Sequence, residues 1–338
     1  VKRSISIVVL SLGLGALGLY LVAGPRVFSA ETYRLPSPDG NLLLLCFLAF
    51  TAQWLVPPIR LTVLSKQQRH ALHYPTALLI HLIAFLSAAI TPGGSGSAPA
   101  IVAGFKQVGM PWGRSIGMAI QITVLDLIFF AWAVPLSLLY LMLSGVSYLS
   151  VNIVVYAALS AALAVAGSVM LGRYPRLAVR FMLFLSRRPV LGRFKRRLQM
   201  TARDYYRSTR VFMNLGWLPW FYLQSLGAVG WLSTFVLFWG LLNLYHQVDF
   251  LAVMAMLNIA TLLSFAIPTP GASGFMEVAV GYGTSTQISS TDLAAPLLLW
   301  RLGSFYLIYA LGPLAGWLFF RRGVKRKPRT GLRPEKSD

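Results

Sequence analysis

Three ionisable side chains occupy positions with little access to water. Glu277 lies in PTPGASGFMEVAV, Arg301 in WRLGSFYLIY and Asp126 in QITVLDLIFF, each within an apolar run. A charge in hydrocarbon costs about 2.5–3.5 kcal/mol on insertion scales, so such residues face a partner or a polar cavity. A Glu277–Arg301 pair is one reading, and Arg301 holding an anionic phosphate is a second. Asp126 is a third charge that competes for Arg301. A buried pair that only fixes helix register accounts for the same residues without further chemistry. No metal set accompanies them, because the four His and the single Cys46 are scattered along the chain. No P-loop, no GxGxxG in a βαβ setting and no GxSxG occurs, so no cofactor, no metal and no catalytic constellation is expected.

Two helix-breaking motifs stand near these charges or in matching surroundings. The first is TPGGSG at 91–96, with Pro92, Gly93, Gly94, Ser95 and Gly96; the second is TPGASG at 269–274, with Pro270, Gly271, Ser273 and Gly274. Their flanks match as well: AFLSAAITPGGSG at 84–96 aligns with TLLSFAIPTPGASG at 261–274, with one extra residue in the second. The pattern predicts an internal duplication. Gly and Pro leave backbone groups unpaired, and such backbone is tolerated at membrane depth only inside protein or beside a wet cavity. A half-helix starting after each break presents amides and a positive dipole end suited to an anion. Close helix packing through small residues explains the same glycines without a ligand.

The elements that must position these groups follow from hydropathy and charge. The 338 residues are 57% hydrophobic and 12% charged, with 30 Lys and Arg against nine Asp and Glu. Soluble domains run near 25% charged, so the composition points to a multi-span membrane protein. Apolar runs lie at 5–23, 41–59 (ending at Pro57-Pro58), 76–91, 115–143, 148–171, 212–244, 250–267 and 293–320. A leader cleaved near Phe28-Ser29-Ala30 is the rival reading of the first run, whose length favours an anchor. By the positive-inside rule, Lys2 and Arg3, the linkers carrying Arg60, Lys66, Arg69, Lys106 and Arg114, the segment 173–210 and the tail 321–338 are cytoplasmic. Both ends of the 76–104 unit then lie inside and both ends of the 250–283 unit outside. Each unit must enter and leave on one side. Its short arm of 9–10 residues reaches only about 15 Å, half a bilayer. The fold class expected is therefore an all-α polytopic membrane protein with about six transmembrane helices plus two re-entrant helical hairpins in an inverted repeat. In that architecture binding sites lie at the midplane between repeats. The membrane domain is placed at 1–320, with repeat halves at about 41–172 and 211–320, and a basic disordered tail at 321–338.

Segment 173–210 carries twelve Lys or Arg and one acid. Arg187, Arg188, Arg193, Lys195, Arg196 and Arg197 suit an amphipathic helix on an anionic leaflet. A solvated loop that only sets orientation is the alternative. Basic residues confined between apolar blocks argue against a nucleic-acid partner.

At TPGGSGSAP (91–99), FKQVGMPWGRS (105–115), PTPGASGFMEVAV (268–280) and RLGSFYLIYALGPLAG (301–316), the chain resembles the lysylphosphatidylglycerol synthase transmembrane family, also called flippase-like domain proteins. That family includes the membrane domain of the bacterial multiple peptide resistance factor. Glu277 and Arg301 match an acidic residue and an arginine typical of it. Many members follow the first motif with a Glu and an Arg; Ala98 and Ile101 stand at those places here. The resemblance implies a bacterial inner-membrane protein with both termini cytoplasmic. It implies a flippase that moves an anionic or aminoacylated phospholipid headgroup through a midplane polar site. No soluble aminoacyl-transfer domain is expected, and hence no synthase activity. The partners implied are membrane phospholipids, a separate lipid-modifying enzyme and a second copy of the chain. The alternatives are an accessory membrane protein of a lipid-modifying pathway and a membrane transferase acting on lipid-linked substrates.

Overall fold

The structure, a computed structural model, describes residues 2–24, 39–144, 174–186, 195–284 and 288–323, with scattered positions between 156 and 170. Among the described residues the regular structure is helical, and the one extended feature is an isolated bridge. The helices are α1 (Lys2–Ala23), α2 (Gly40–Leu55), α3 (Pro57–Gln67), α4 (Tyr74–Ala89), α5 (Ser97–Gln107) and α6 (Trp112–Leu143). After the 156–170 region come α7 (Pro175–Ser186), α8 (Lys195–Met213), α9 (Trp217–Asn243), α10 (Phe250–Ser264), α11 (Phe275–Thr284) and α12 (Ser290–Arg301). A π-helical turn, Leu302–Tyr306, then leads into α13 (Ile308–Gly323).

Local chemistry sets the starts. The Asp39 carboxylate accepts from the Asn41 amide (3.0 Å) and Asp249 from Ala252 (2.9 Å), so each satisfies an amide with no intrahelical partner; the Asp292 amide is shared between the Ser289 hydroxyl (3.3 Å) and the Ser289 carbonyl (3.1 Å). Pro57 and Pro58 open α3 instead of closing the run before it. Proline in a first helical turn forfeits no hydrogen bond, and Val56 between α2 and α3 keeps helical dihedrals of −77° and −45°. The apolar run expected to stop at Pro57-Pro58 thus continues as one path, Gly40–Gln67. This corrects the placement of Arg60. It belongs to the helix, 5% exposed, and not to a cytoplasmic linker.

Among the described residues, four segments are long and apolar enough to cross a membrane: Gly40–Gln67, Trp112–Leu143, Trp217–Asn243 and Asp292–Arg321. Ser6–Val22, Tyr74–Ala89 and Phe250–Ser264 are shorter apolar helices. Outward faces are greasy, with Phe47, Leu139, Leu143 and Trp217 all exposed. Patches of that extent have a solvent only in lipid. The run at 148–171 lies largely outside the described residues.

Two cores surround the two hairpins, and each takes in a helix from the other half of the chain: Ala315 and Phe319 of α13 join the first, Cys46 and Ala49 of α2 the second. Leu64, Ile80, Phe105 and Met118 fill one, around α3 to α6, and Phe238, Leu257, Val280 and Leu297 fill the other, around α9 to α12. Phe129, Phe130 and Ile259 join them where α6 meets α10. Each core thereby seats a helix–break–helix hairpin: α4 with α5, and α10 with α11. The amphipathic α8 lays its apolar face on α6, where Gly113 and Gly117 admit its backbone: a Cβ at Gly113 would stand 2.2 Å from the Thr201 carbonyl oxygen. Gln121 Nε2 donates to the Ser208 carbonyl and hydroxyl (3.2 and 3.1 Å) across that contact. Lys195, Arg196 and Arg197 stay exposed; Arg187, Arg188 and Arg193 lie outside the described residues.

Candidate functional site: two breaks and a buried ion pair

The two TPGxSG breaks meet. Pro92 and Pro270 pair in an isolated antiparallel bridge, so the hairpins touch at their helix breaks. The loops also share a conformation. Gly93 and Gly271 have φ of 57° and 59°, and Gly94 and Ala272 have 67° and 51°. The hydrogen bonds repeat: Gly94 to the Thr91 carbonyl (3.2 Å) as Ala272 to Thr269 (3.1 Å), and Ser95 to Pro92 as Ser273 to Pro270, both 3.2 Å. Glycine is needed at two of these places for room as well as for φ. A Cβ on Gly93 would stand 2.7 Å from the Phe265 carbonyl oxygen, and one on Gly271 would stand 1.9 Å from Phe305 Cζ. Ala272 takes the left-handed conformation in spite of its side chain, a strain of about 1–2 kcal/mol that its burial must outweigh.

Each short arm has two early amides already satisfied, which narrows the expected supply of free ones: Ser97 donates to the Gly94 carbonyl and Met276 to the Ala272 carbonyl, both at 3.1 Å. The Gly96 amide donates to Thr91 Oγ1 (2.8 Å), and the Gly274 amide donates to Glu277 Oε2 (2.7 Å). Glu277 therefore caps its own helix, α11, from the third position along, where the dipole favours an anion. Its other oxygen, Oε1, accepts from Arg301 Nε (2.6 Å) and from the Tyr306 hydroxyl (3.2 Å). Glu277 is fully buried and Arg301 is 4% exposed. The Arg301 guanidinium lies over the Phe305 ring at 4.4 Å, a cation–π contact strengthened by the absence of water. The π-helical turn directly after Arg301 brings Phe305 and Tyr306 round to this spot, as such turns commonly do at functional sites. Trp54 of α2 fixes the turn by donating to the Gly303 carbonyl (3.0 Å). Arg301 Nη2 has no hydrogen-bond partner. A buried donor left unpaired costs about 1–3 kcal/mol, and Nη2 keeps the capacity to donate to one further acceptor.

Helix α1 closes this cluster from one side. Gly15 and Gly18 lie against Glu277: a Cβ at Gly15 would stand 3.3 Å from Glu277 Oε1, and one at Gly18 would stand 2.9 Å from Glu277 Cβ. The hydroxyls of Ser11 and Ser273 are 2.8 Å apart, and Tyr309 donates to Ser11 (2.8 Å). Sequence reading missed Ser11, Gly15, Gly18, Tyr306 and Tyr309. The small residues at positions 11, 15 and 18 share a helical face, and that spacing was the available signal.

The sequence-selected residues thus divide. Pro92, Gly93, Gly94, Gly96, Pro270, Gly271, Ser273, Gly274, Glu277 and Arg301 gather at the meeting of the breaks. Ser95 is in the loop but exposed. Asp126 is elsewhere. Its Oδ1 accepts from Arg60 Nη1 (2.7 Å) and Trp231 Nε1 (3.2 Å), so Arg60 is its partner, not Arg301. No cluster of three His, Cys, Asp or Glu that would hold a metal ion occurs among the described residues.

Set beside known proteins, residues 8–312 match the family model described as the Lysylphosphatidylglycerol synthase TM region. The match spans both breaks, Glu277 and Arg301. Among curated proteins, none matches the chain.

Proposed function

The chain belongs to the lysylphosphatidylglycerol synthase TM-region family, of membrane proteins tied to lipid modification or flipping, and from that premise we propose that it is a phospholipid flippase. The observation that carries this reading is Arg301: held by Glu277, stacked on Phe305, and left with a buried Nη2 that lacks an acceptor. A phosphate oxygen of a headgroup is the acceptor such a guanidinium takes in low dielectric. Glu277 orients Arg301 and balances its charge while the site is empty. The joined breaks supply irregular backbone beside it, and acyl chains stay in lipid.

On this reading α1, the apolar run 148–171 and the four long segments make six crossings. The hairpins α4–α5 and α10–α11 are re-entrant from opposite faces of a bacterial inner membrane. Their long arms of 16 and 15 residues reach about 22–24 Å, short of a hydrocarbon core of about 30 Å. The cargo is an anionic or aminoacylated phospholipid, and the chain itself performs no covalent chemistry. Its partners are membrane phospholipids and a separate lipid-modifying enzyme.

Reconstitution tests this. Liposomes carrying fluorescent phospholipids of several headgroups should exchange leaflets faster with the protein than without, and Glu277→Gln and Arg301→Ala should each cut the rate at least tenfold. Equal exchange in empty and protein-bearing vesicles across all headgroups sinks the proposal.

A further inference from the structure

Helix α8 has two unlike faces. Ala202, Tyr205, Ser208 and Phe212 are buried, and α6 meets this side in step: Gly113 lies against Thr201 and Tyr205, and Gly117 against Ser208. Equal advances along the two helices mean that their axes run side by side. On the opposite face stand Arg196, Arg203, Arg207 and Arg210, all exposed. At about 100° per residue they fall within about 60° of one another, over about 21 Å of helix. Among the described residues none of the four takes part in an ion pair. Asp204, the one acid of segment 173–210, lies beside Gly113 instead. A face that only water covers usually mixes signs. Here Arg203 repels Arg207 and Arg207 repels Arg210, at a cost of about 0.2–0.5 kcal/mol for each pair. The positive-inside rule counts charge near a span and asks for no alignment. Met200 and Val211 are exposed along one edge of the stripe, and a straight charged row with an apolar edge is one side of a helix–helix interface. The packing on α6 decides what covers it. Because α6 is one of the long apolar helices, α8 stands steeply to a leaflet, whose headgroups reach one end of the stripe only. A second copy of the chain brings the same like charge.

We propose that this stripe docks an acidic helix of a soluble protein. Carboxylates spaced three, four and seven residues apart on that helix oppose the four arginines, and its apolar side chains cover Met200 and Val211. Each guanidinium offers a planar fork that a carboxylate accepts in two bonds. Docking here asks nothing of Glu277 or Arg301, so it stands or falls apart from transport.

Fluorescence anisotropy of a labelled peptide reads the surface, with the full chain held in nanodiscs of zwitterionic lipid. The probe is a helical peptide with glutamates at those spacings and leucines beside them. Its control has the same composition with the glutamates spread round the helix. The aligned peptide should bind at least tenfold more tightly than the control. Arg203→Glu with Arg207→Glu should erase that difference in a protein that melts as the wild type does, and an aligned peptide with lysines in place of glutamates should bind this variant at least tenfold more tightly than it binds the wild type. Equal binding of the two glutamate peptides by the wild type overturns the proposal. So does displacement of the aligned peptide by single-stranded RNA or by anionic vesicles at a lower concentration of charge than the unlabelled peptide needs, which would give the stripe to a nucleic acid or to a leaflet.

Discussion

At the scale of single residues, Glu277 and Arg301 form a unit. Each is buried almost completely, and each is the other's counter-charge. Removing one member of such a pair strands the other in low dielectric and costs about 3–5 kcal/mol, whereas replacing both by apolar groups is often nearly neutral. Thermal melting in detergent should therefore show Glu277→Gln and Arg301→Met each strongly destabilised, and the double substitution well above the sum of the two losses. Additivity to within about 0.5 kcal/mol would mean the residues act independently. The pair was legible in sequence because a charge in an apolar run announces itself. Arg60 was not, because a double proline before it reads as the end of a helix when it is in fact the start of one. Ser11 and Tyr309 carry no charge, and a neutral polar residue in a membrane helix is too common to mark a site without its neighbours.

At the scale of elements, α1 decides whether the pair can be reached. Its small face covers Glu277, while Val9, Leu10, Leu17 and Leu21 on its other sides are exposed. A headgroup reaching Arg301 requires α1 to move away from α11. Ser11 and Ser273, with hydroxyls 2.8 Å apart, are close enough for a disulfide to stop that movement. In a Cys46→Ala background, Ser11→Cys with Ser273→Cys should exchange lipid only when reduced, at a rate at least tenfold above the oxidised form. An oxidised, cross-linked protein that still matches the reduced one would show that α1 is a fixed wall. The helices themselves were nearly all legible, since hydropathy and the Gly-Pro breaks mark them within a few residues. What α1 packs against was not legible, because a stripe of small residues names no partner.

At the scale of the whole molecule, the repeat governs the site. Two hairpins with matching loop φ values and matching loop hydrogen bonds meet through an antiparallel bridge at equivalent prolines. Equivalent points of a repeat meet in antiparallel sense when a two-fold relates the copies, and a two-fold lying in the membrane plane makes one hairpin open to each face. Exposed residues at the hairpin ends test that orientation. In a Cys46→Ala background, His73→Cys before α4 and Gln107→Cys at the end of α5 should react with a membrane-impermeant maleimide from the same side. Gln247→Cys before α10 and Ser289→Cys after α11 should react together from the other side. His73 and Gln107 reporting opposite sides would make α4 and α5 together a full crossing. The repeat would then be parallel or absent, and the headgroup would have no path lined equally from both leaflets.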